Sequence, residues 1–157
     1  MAKFIGLDLG SRTCGVAISD ISGFLARNYE TIRFRDDDYL FAAKRVVEIC
    51  QKEQVKDIVL GMPKHMNGDV GIRGKISEDF KQILLSLGEF NVILWDERLS
   101  TVAVDRLMID NNRRRDYRKS HKDELAAVVI LQGYLDFKRW GRFYGKTKSI
   151  NIHQRIR

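Results

Sequence analysis

Short apolar segments alternate with longer amphipathic segments along the chain, and the first of them is the most informative. In residues 3–9 the apolar side chains from Ile5 to Leu9 occupy alternate positions, whereas Asp8 falls on the opposite face. Alternation with a period of two residues is typical of a β-strand. We therefore predict a first strand with a carboxylate near its carboxyl end.

The next two segments also have the composition of strands. Residues 16–20 follow a polar turn over residues 10–15, and residues 24–34 follow the turn signal Ser22-Gly23. Three consecutive strands joined by short turns predict an antiparallel meander.

Two later apolar runs lack this alternation. Residues 57–61 and 91–95 are short, continuous and rich in β-branched or large apolar side chains. Such runs are typical of strands that are covered on both faces of a sheet.

Four helices are predicted between and after these strands. The first follows the Asp36–Asp38 cluster, because carboxylates favour a helix N-terminus, and the second covers about Gly71 to Leu87 with Gly88 as its end. Ser100 is expected to cap a third helix, and a fourth covers about Lys122 to Phe137. The apolar positions at helical spacing are Leu40, Ala43, Val47 and Cys50 in the first helix, and Ile72, Ile76, Phe80, Ile83 and Leu87 in the second.

The resulting order, βββαβαβαα, predicts an α/β fold with a mixed sheet and helices on both faces. The length of 157 residues suits one domain, which we place at residues 1–137. Residues 138–157 are rich in Gly, Lys and Arg, and we expect them to form a flexible basic tail.

Charge and hydropathy narrow the functional class. With 28 Lys and Arg against 21 Asp and Glu, the net charge is +7, which favours polyanionic partners such as nucleic acid. The sequence contains neither a long apolar run nor a signal-peptide pattern, so we expect a cytoplasmic protein without a membrane segment. Cys14 and Cys50 lack the spacing of metal or redox sites and are expected in the core.

Three carboxylates are the candidate catalytic and metal-binding groups. Asp8 ends the first strand, Glu97 follows the last strand on the face of Trp95, and Asp123 begins the final helix. Oxygen ligands of this kind suit Mg²⁺ or Mn²⁺ in a phosphodiester-cleaving site. The competing interpretations are a turn-forming Asp8 and an Asp123 that only stabilises the helix terminus.

Nucleic-acid contacts are predicted in two places. Ser11 and Thr13 lie in a glycine-flanked turn that would let a phosphate approach the backbone. Residues 113–122 hold six Lys or Arg with Tyr117 among them, which suits phosphate contacts beside a stacking ring, although a solvated loop would have the same composition. The basic candidates there are Arg113, Arg114, Arg115, Arg118 and Lys119.

Four ordered motifs resemble those of the YqgF family, also called RuvX: GLDLGSRTCGVAISD, IVLGMPKHMNG, WDERLST and KDELAAVVILQGYLD. The resemblance spans about residues 4–137. It implies an RNase H-like fold related to the Holliday-junction resolvase RuvC, and a nuclease that acts in resolution of junctions or in maturation of pre-16S ribosomal RNA. It also implies that Asp8, Glu97 and Asp123 are the catalytic acids, and Lys64 and Arg98 would contact phosphates. The family more often has a small or apolar residue where this chain has Glu124.

The sequence leaves open whether the protein cleaves RNA, cleaves branched DNA or only binds RNA. The resemblance favours a metal-dependent nuclease acting on structured RNA in ribosome biogenesis. A Holliday-junction resolvase acting on branched DNA would need a homodimer so that two sites cut symmetric strands, and the residues leave monomer and homodimer undecided. A non-catalytic RNA-binding factor in ribosome assembly would use the same charge without the carboxylates.

Overall fold

A five-stranded sheet is the centre of the molecule. The computed structural model describes residues 2–62, 71–96 and 122–147, with side chains over 125–139 in the last range. The strands are β1 (Phe4–Leu9), β2 (Thr13–Ser19), β3 (Ala26–Arg33), β4 (Asp57–Met62) and β5 (Asn91–Asp96). Their order across the sheet is β3-β2-β1-β4-β5.

The sheet is mixed, as predicted. β1 pairs antiparallel with β2, and β2 with β3, which confirms the meander. β4 pairs parallel with β1, and β5 with β4, so the apolar runs without alternation form the parallel half. Parallel strands need a crossover connection, which α1 supplies between β3 and β4 and α2 supplies between β4 and β5.

Helices cover both faces of this sheet. The described helices are α1 (Tyr39–Glu53), α2 (Ile72–Leu87) and α3 (Lys122–Thr147). α1 and α2 pack on the face that carries Ile5 and Leu7, and α3 packs on the face that carries Phe4 and Val59. None of the helices described in the structure is long and apolar enough to cross a membrane.

The ends of α1 follow from local chemistry. Asp38 is the N-cap, and its side chain accepts a hydrogen bond from the Phe41 amide at 3.3 Å. Gln54 closes the helix in the left-handed region at a φ of 57°, and its N–H donates to the Cys50 carbonyl. The predicted helix signal at Asp36–Asp38 is therefore confirmed.

Of the apolar positions at helical spacing in α2, Phe80 is buried but the first one is not. Ile72 is 84% exposed, and Leu40 at the start of α1 is also exposed, because both lie in the first turn of their helices. The residues of α2 that are buried are Gly74, Ser77, Phe80 and Leu84. Gly88 ends the helix as predicted, but in an extended conformation with a φ of 176°.

The final helix is ten residues longer than predicted, since it ends at Thr147 instead of Phe137. Lys138 lies 4.5 Å from the centre of the Phe4 ring, and Arg139 lies 3.9 Å from the centre of the Phe24 ring. Cation–π contacts of this kind hold the start of the basic segment against the domain. The flexible tail stays a prediction for residues 148–157, which lie outside the described residues, as does the predicted helix after Ser100.

Candidate active site

Asp8 is the one predicted catalytic carboxylate whose side chain the structure describes. It is half-buried near the carboxyl end of β1, the central strand, and pairs with Gly15 of β2. Alternation along β1 puts it on the face of Phe4 and Gly6, which is the face that α3 covers. The predicted position of Asp8 is therefore confirmed.

The charge of Asp8 acts on its neighbourhood. The pKa of the buried Cys14 thiol is raised mainly by burial and further by the negative charge of Asp8. Burial also raises the pKa of Cys50, to about 12. Both thiols are therefore protonated at neutral pH, and their predicted place in the core is confirmed.

The carboxyl ends of the three parallel strands meet at the same edge of the sheet as Asp8. Leu7 is in register with Leu60, and Gly61 with Trp95, so Asp8, Gly61 and Trp95 form one row across β1, β4 and β5. Trp95 belongs to the cluster under α3, on the face of Asp8. Ligands of open α/β sheets are bound at this edge.

Gly61 keeps the middle of that row free of a side chain. Its carbonyl accepts a hydrogen bond from the Ser77 hydroxyl at 3.3 Å, which ties the end of β4 to α2. Neighbouring strands are about 4.8 Å apart, so roughly 10 Å separate the backbones of Asp8 and Trp95. Gly61 therefore separates Asp8 from Trp95 without adding a side chain to the row.

α3 runs antiparallel to β1 over this face. Tyr134 contacts Phe4, with ring centres 5.8 Å apart, and Gly6 faces Ala127 and Leu131. Two further residues along β1 advance by about 6.6 Å, the length of roughly four helical residues. Along the direction of β1, Asp8 is therefore close to the first turn of α3, which contains position 123.

The turn that joins β1 to β2 is fastened to the segment before α1. The Gly10 amide donates to the Thr13 carbonyl at 2.7 Å, so it is engaged within the turn. The Asp37 amide donates to the Ser11 carbonyl at 3.0 Å, and Arg12 forms an ion pair with Asp36. Ser11 is exposed and Thr13 is half-buried, and the phosphate contacts of their hydroxyls stay predictions.

The other predicted site residues lie outside the described side chains. Glu97, Lys64 and Arg98 follow the ends of β4 and β5, and Asp123 is in the first turn of α3 with no described side chain. The basic candidates Arg113, Arg114, Arg115, Arg118 and Lys119 fall in the same category. Within the described side chains, no three His, Cys, Asp or Glu residues form a cluster that could hold a metal. The roles of Glu97, Asp123 and the basic candidates stay predictions.

One feature at this edge was absent from the predicted site. A groove of about 420 Å³ at the end of β3 and the start of α1 is lined by Arg33, Phe34, Arg35, Asp38 and Phe41. Basic and aromatic residues alternate in the segment RFR of residues 33–35. That alternation is only a partial signal of the groove, because it does not include Phe41.

Sequence comparisons place this chain among nucleases. The model of the RuvX family, described as Holliday junction resolvase, matches residues 2–137. A protein of Bacillus cytotoxicus, named as a candidate pre-16S rRNA nuclease, is 47% identical over 136 residues, which are 87% of this chain and 99% of that protein. A protein of Staphylococcus carnosus with the same name is 44% identical over 135 residues, which are 85% of this chain and 95% of that protein.

The structural comparison identifies the fold. RuvC of Thermus thermophilus, solved in complex with a Holliday junction substrate, superposes with a TM-score of 0.65 at 13% identity. The match covers 90% of this chain and 97% of RuvC. The predicted RNase H-like, RuvC-like fold is therefore confirmed.

Proposed function

This chain belongs to the RuvX family and is a nuclease, and from that premise we propose that it cleaves precursor 16S ribosomal RNA at a divalent-metal site. The observation that carries the proposal is the position of Asp8. It lies on the central strand, at the edge where the parallel strands end, and on the face under α3. The site would be completed by Glu97 and Asp123.

The choice of substrate rests on the relatives. Two proteins that this chain matches over nearly their whole length are named for pre-16S rRNA. The net charge of +7 supports a polyanionic substrate of either kind. Structured or single-stranded RNA in ribosome biogenesis is accordingly the first candidate.

The residues at the site fit a hard divalent cation. Asp8 supplies a carboxylate, and two more would come from Glu97, which follows β5 in the sequence, and Asp123, in the first turn of α3. Mg²⁺ and Mn²⁺ take oxygen ligands and keep open positions for water and phosphate oxygens. Bound there, either ion would activate the attacking water and stabilise the leaving oxygen at phosphorus.

The protein's own residues would orient the substrate. Asp8, held on a rigid central strand, sets the position of the cleaved phosphodiester, because a strand residue has less freedom than a loop residue. Ser11 and Thr13 would donate hydroxyl hydrogen bonds to phosphate oxygens beside it, and Lys64 and Arg98 would add charge. The basic residues of the 113–122 stretch would hold the rest of the backbone without reading its sequence.

A second candidate substrate is a four-way DNA junction. The description of the matching family model favours it, since that description is Holliday junction resolvase. Symmetric cleavage would require two copies of the site in one homodimer, whereas cleavage of an RNA strand requires only a monomer. Sedimentation of the protein with and without a junction would distinguish these states.

A substrate panel tests the proposal. Labelled fragments that contain the ends of precursor 16S rRNA, an unrelated single-stranded RNA and a four-way DNA junction are incubated with protein and Mg²⁺ or Mn²⁺, and with EDTA as control. We expect metal-dependent cleavage of the precursor fragments in preference to the other two. Preferred cleavage of the junction would favour the resolvase, and cleavage that persists in EDTA would contradict the metal site.

A further inference from the structure

A basic and aromatic groove lies at the end of β3, on the same edge of the sheet as Asp8 but toward the face that α1 covers. Arg33 is the last residue of β3, and Phe41 belongs to the first turn of α1. Phe41 is 54% exposed and lies next to two arginines. Phe34 forms the inner wall and is held by an edge-on contact with Tyr39, at 6.0 Å between ring centres.

The arginines of the groove are available to a ligand, whereas the nearby acids are engaged. Asp36 pairs with Arg12, Asp37 accepts from the Tyr39 hydroxyl at 3.0 Å, and Asp38 caps α1. Arg33 and Arg35 are exposed, and neither forms an ion pair with any residue in the described part of the chain.

A nucleic-acid strand bound at Asp8 could also reach the groove. Asp8 pairs with Gly15, Gly15 with Thr31, and Arg33 is two residues farther along β3. Two strand spacings and two residues of rise give about 12 Å between the backbones of Asp8 and Arg33. Stacked nucleotides rise by about 3.4 Å each, so roughly three or four nucleotides span this distance.

We propose that this groove binds the nucleic-acid strand next to the cleaved phosphodiester, with Arg33 and Arg35 on its phosphates and Phe41 stacked on an unpaired base. Guanidinium groups beside an exposed ring are the usual means of holding single strands without sequence preference. Because stacking requires an unpaired base, the groove favours single-stranded RNA next to the cut. This assignment rests on the proposed nuclease function and names the surface that the substrate follows.

Binding is measured without cleavage in the background of Asp8→Asn. The probe is a fluorescent single-stranded RNA of about 20 nucleotides, longer than one single-strand binding site, and its Kd is measured by anisotropy over a series of salt concentrations. The test variants are Arg33→Ala/Arg35→Ala and Phe41→Ala. Their controls are Arg27→Ala/Lys56→Ala, which removes two exposed charges far from the groove, and Ile21→Ala, which removes an apolar side chain that is 61% exposed near the opposite edge.

We expect the arginine pair variant to weaken binding at least about tenfold and to reduce the salt slope by about 1.4, which corresponds to two phosphate contacts on a single strand. Phe41→Ala should weaken binding about 5-fold to 100-fold with an unchanged salt slope, as expected for loss of stacking. The controls should stay within about twofold of the parent.

Other results would overturn the groove assignment. Equal weakening by the arginine pair and its control would show a general charge effect, and no weakening would place the RNA elsewhere. A parent protein that binds no RNA, or a groove that captures only a protein partner, would also contradict it. Failure of the proposed function appears separately, as wild-type protein that binds RNA through the groove but does not cleave it.

Discussion

At the scale of the residue, a carboxylate that is partly buried at the end of an apolar strand loses favourable hydration. A cation or a polar group beside it offsets that loss. Asp8 is half-buried, and its charge is close enough to the Cys14 thiol to raise that pKa. Its neighbours in the sheet row, Gly15 and Gly61, carry no side chains. A metal-binding role for Asp8 stays a proposal.

A second carboxylate makes a testable contribution to stability. Glu30 forms an ion pair with Arg45 at 2.7 Å, and hydrogen bonding to this arginine lowers the pKa of Glu30. Because the pKa of Glu30 is lower in the folded state, its ionised form stabilises the fold above the unfolded-state pKa of about 4.3. This stabilisation is lost as the pH falls through the folded-state pKa. We expect Glu30→Gln to reduce the free energy of unfolding by about 0.5–1 kcal/mol at pH 7, since the pair is partly exposed.

The Glu30 prediction is checked by urea unfolding at pH 7 and near pH 3. The difference between wild type and Glu30→Gln should be smaller at the lower pH, because the carboxyl is then largely protonated in the unfolded state and the ion pair favours folding less. Glu48→Gln is the matched control, because Glu48 contacts the same Arg45 but is more exposed. A difference that is as large at low pH, or a larger loss in the control, would contradict this account of the pair.

At the scale of the element, the approach of α3 to the sheet decides how near the first turn of the helix comes to Asp8. Gly6 makes that approach possible, because a Cβ atom there would be 2.5 Å from the Leu131 Cβ and 3.1 Å from the Ala127 carbonyl oxygen. Farther along, Gln132 is buried; it accepts from the Ala26 amide at 2.8 Å and donates to the Phe24 carbonyl at 3.0 Å. These contacts fix both the depth and the direction of α3.

Substituting Gly6 therefore tests the packing of α3. We expect Gly6→Ala to lower the free energy of unfolding by about 1–3 kcal/mol, because the added methyl group meets backbone and Cβ atoms that cannot rotate away. Gly88→Ala is the control, since its Cβ would meet only the ring of Phe90, which can move. Chemical denaturation of both variants measures the difference, and equal losses would contradict the close approach at Gly6.

The elements also show what the sequence could predict. The alternation in β1 placed Asp8 correctly, and the continuous apolar runs correctly marked the parallel strands β4 and β5. The buried role of Gln132 was not predictable, because a glutamine within an apolar helix gives no sign of its partners 106 and 108 residues away. The composition after Phe137 predicts the end of α3 too early, because Gly and Lys or Arg are typical of a tail, although Lys and Arg also favour helix.

The site was predictable to a smaller extent than the fold. Strand alternation found Asp8, and the family motifs supplied Glu97 and Asp123, whose side chains lie outside the described part. The groove at Arg33 was not predicted, because its two arginines form a much less dense cluster in the sequence than the basic stretch at 113–122. Its residues belong to a strand end and a helix start, and only the folded chain brings Phe41 beside Arg33 and Arg35.

At the scale of the whole molecule, binding of a metal at one edge must change global stability. A ligand that binds only the folded state adds about 2.7 kcal/mol at 100 times its Kd. For a chain of this size, we expect saturating Mn²⁺ to raise the Tm of wild type by about 5–10 °C. Thermal unfolding of Asp8→Asn should show little of this increase, and an equal increase in that variant would place the metal elsewhere.

The central claim is that Asp8 is a catalytic carboxylate of a metal-dependent nuclease. The most direct measurement is the rate of Mn²⁺-dependent cleavage of a labelled precursor 16S rRNA fragment by wild type and Asp8→Asn, with Asp79→Asn, an exposed Asp on α2, as control. The account predicts that Asp8→Asn folds and binds the RNA but cleaves it at least about 100-fold more slowly, while Asp79→Asn cleaves at the wild-type rate. Cleavage by Asp8→Asn at the wild-type rate would contradict the account.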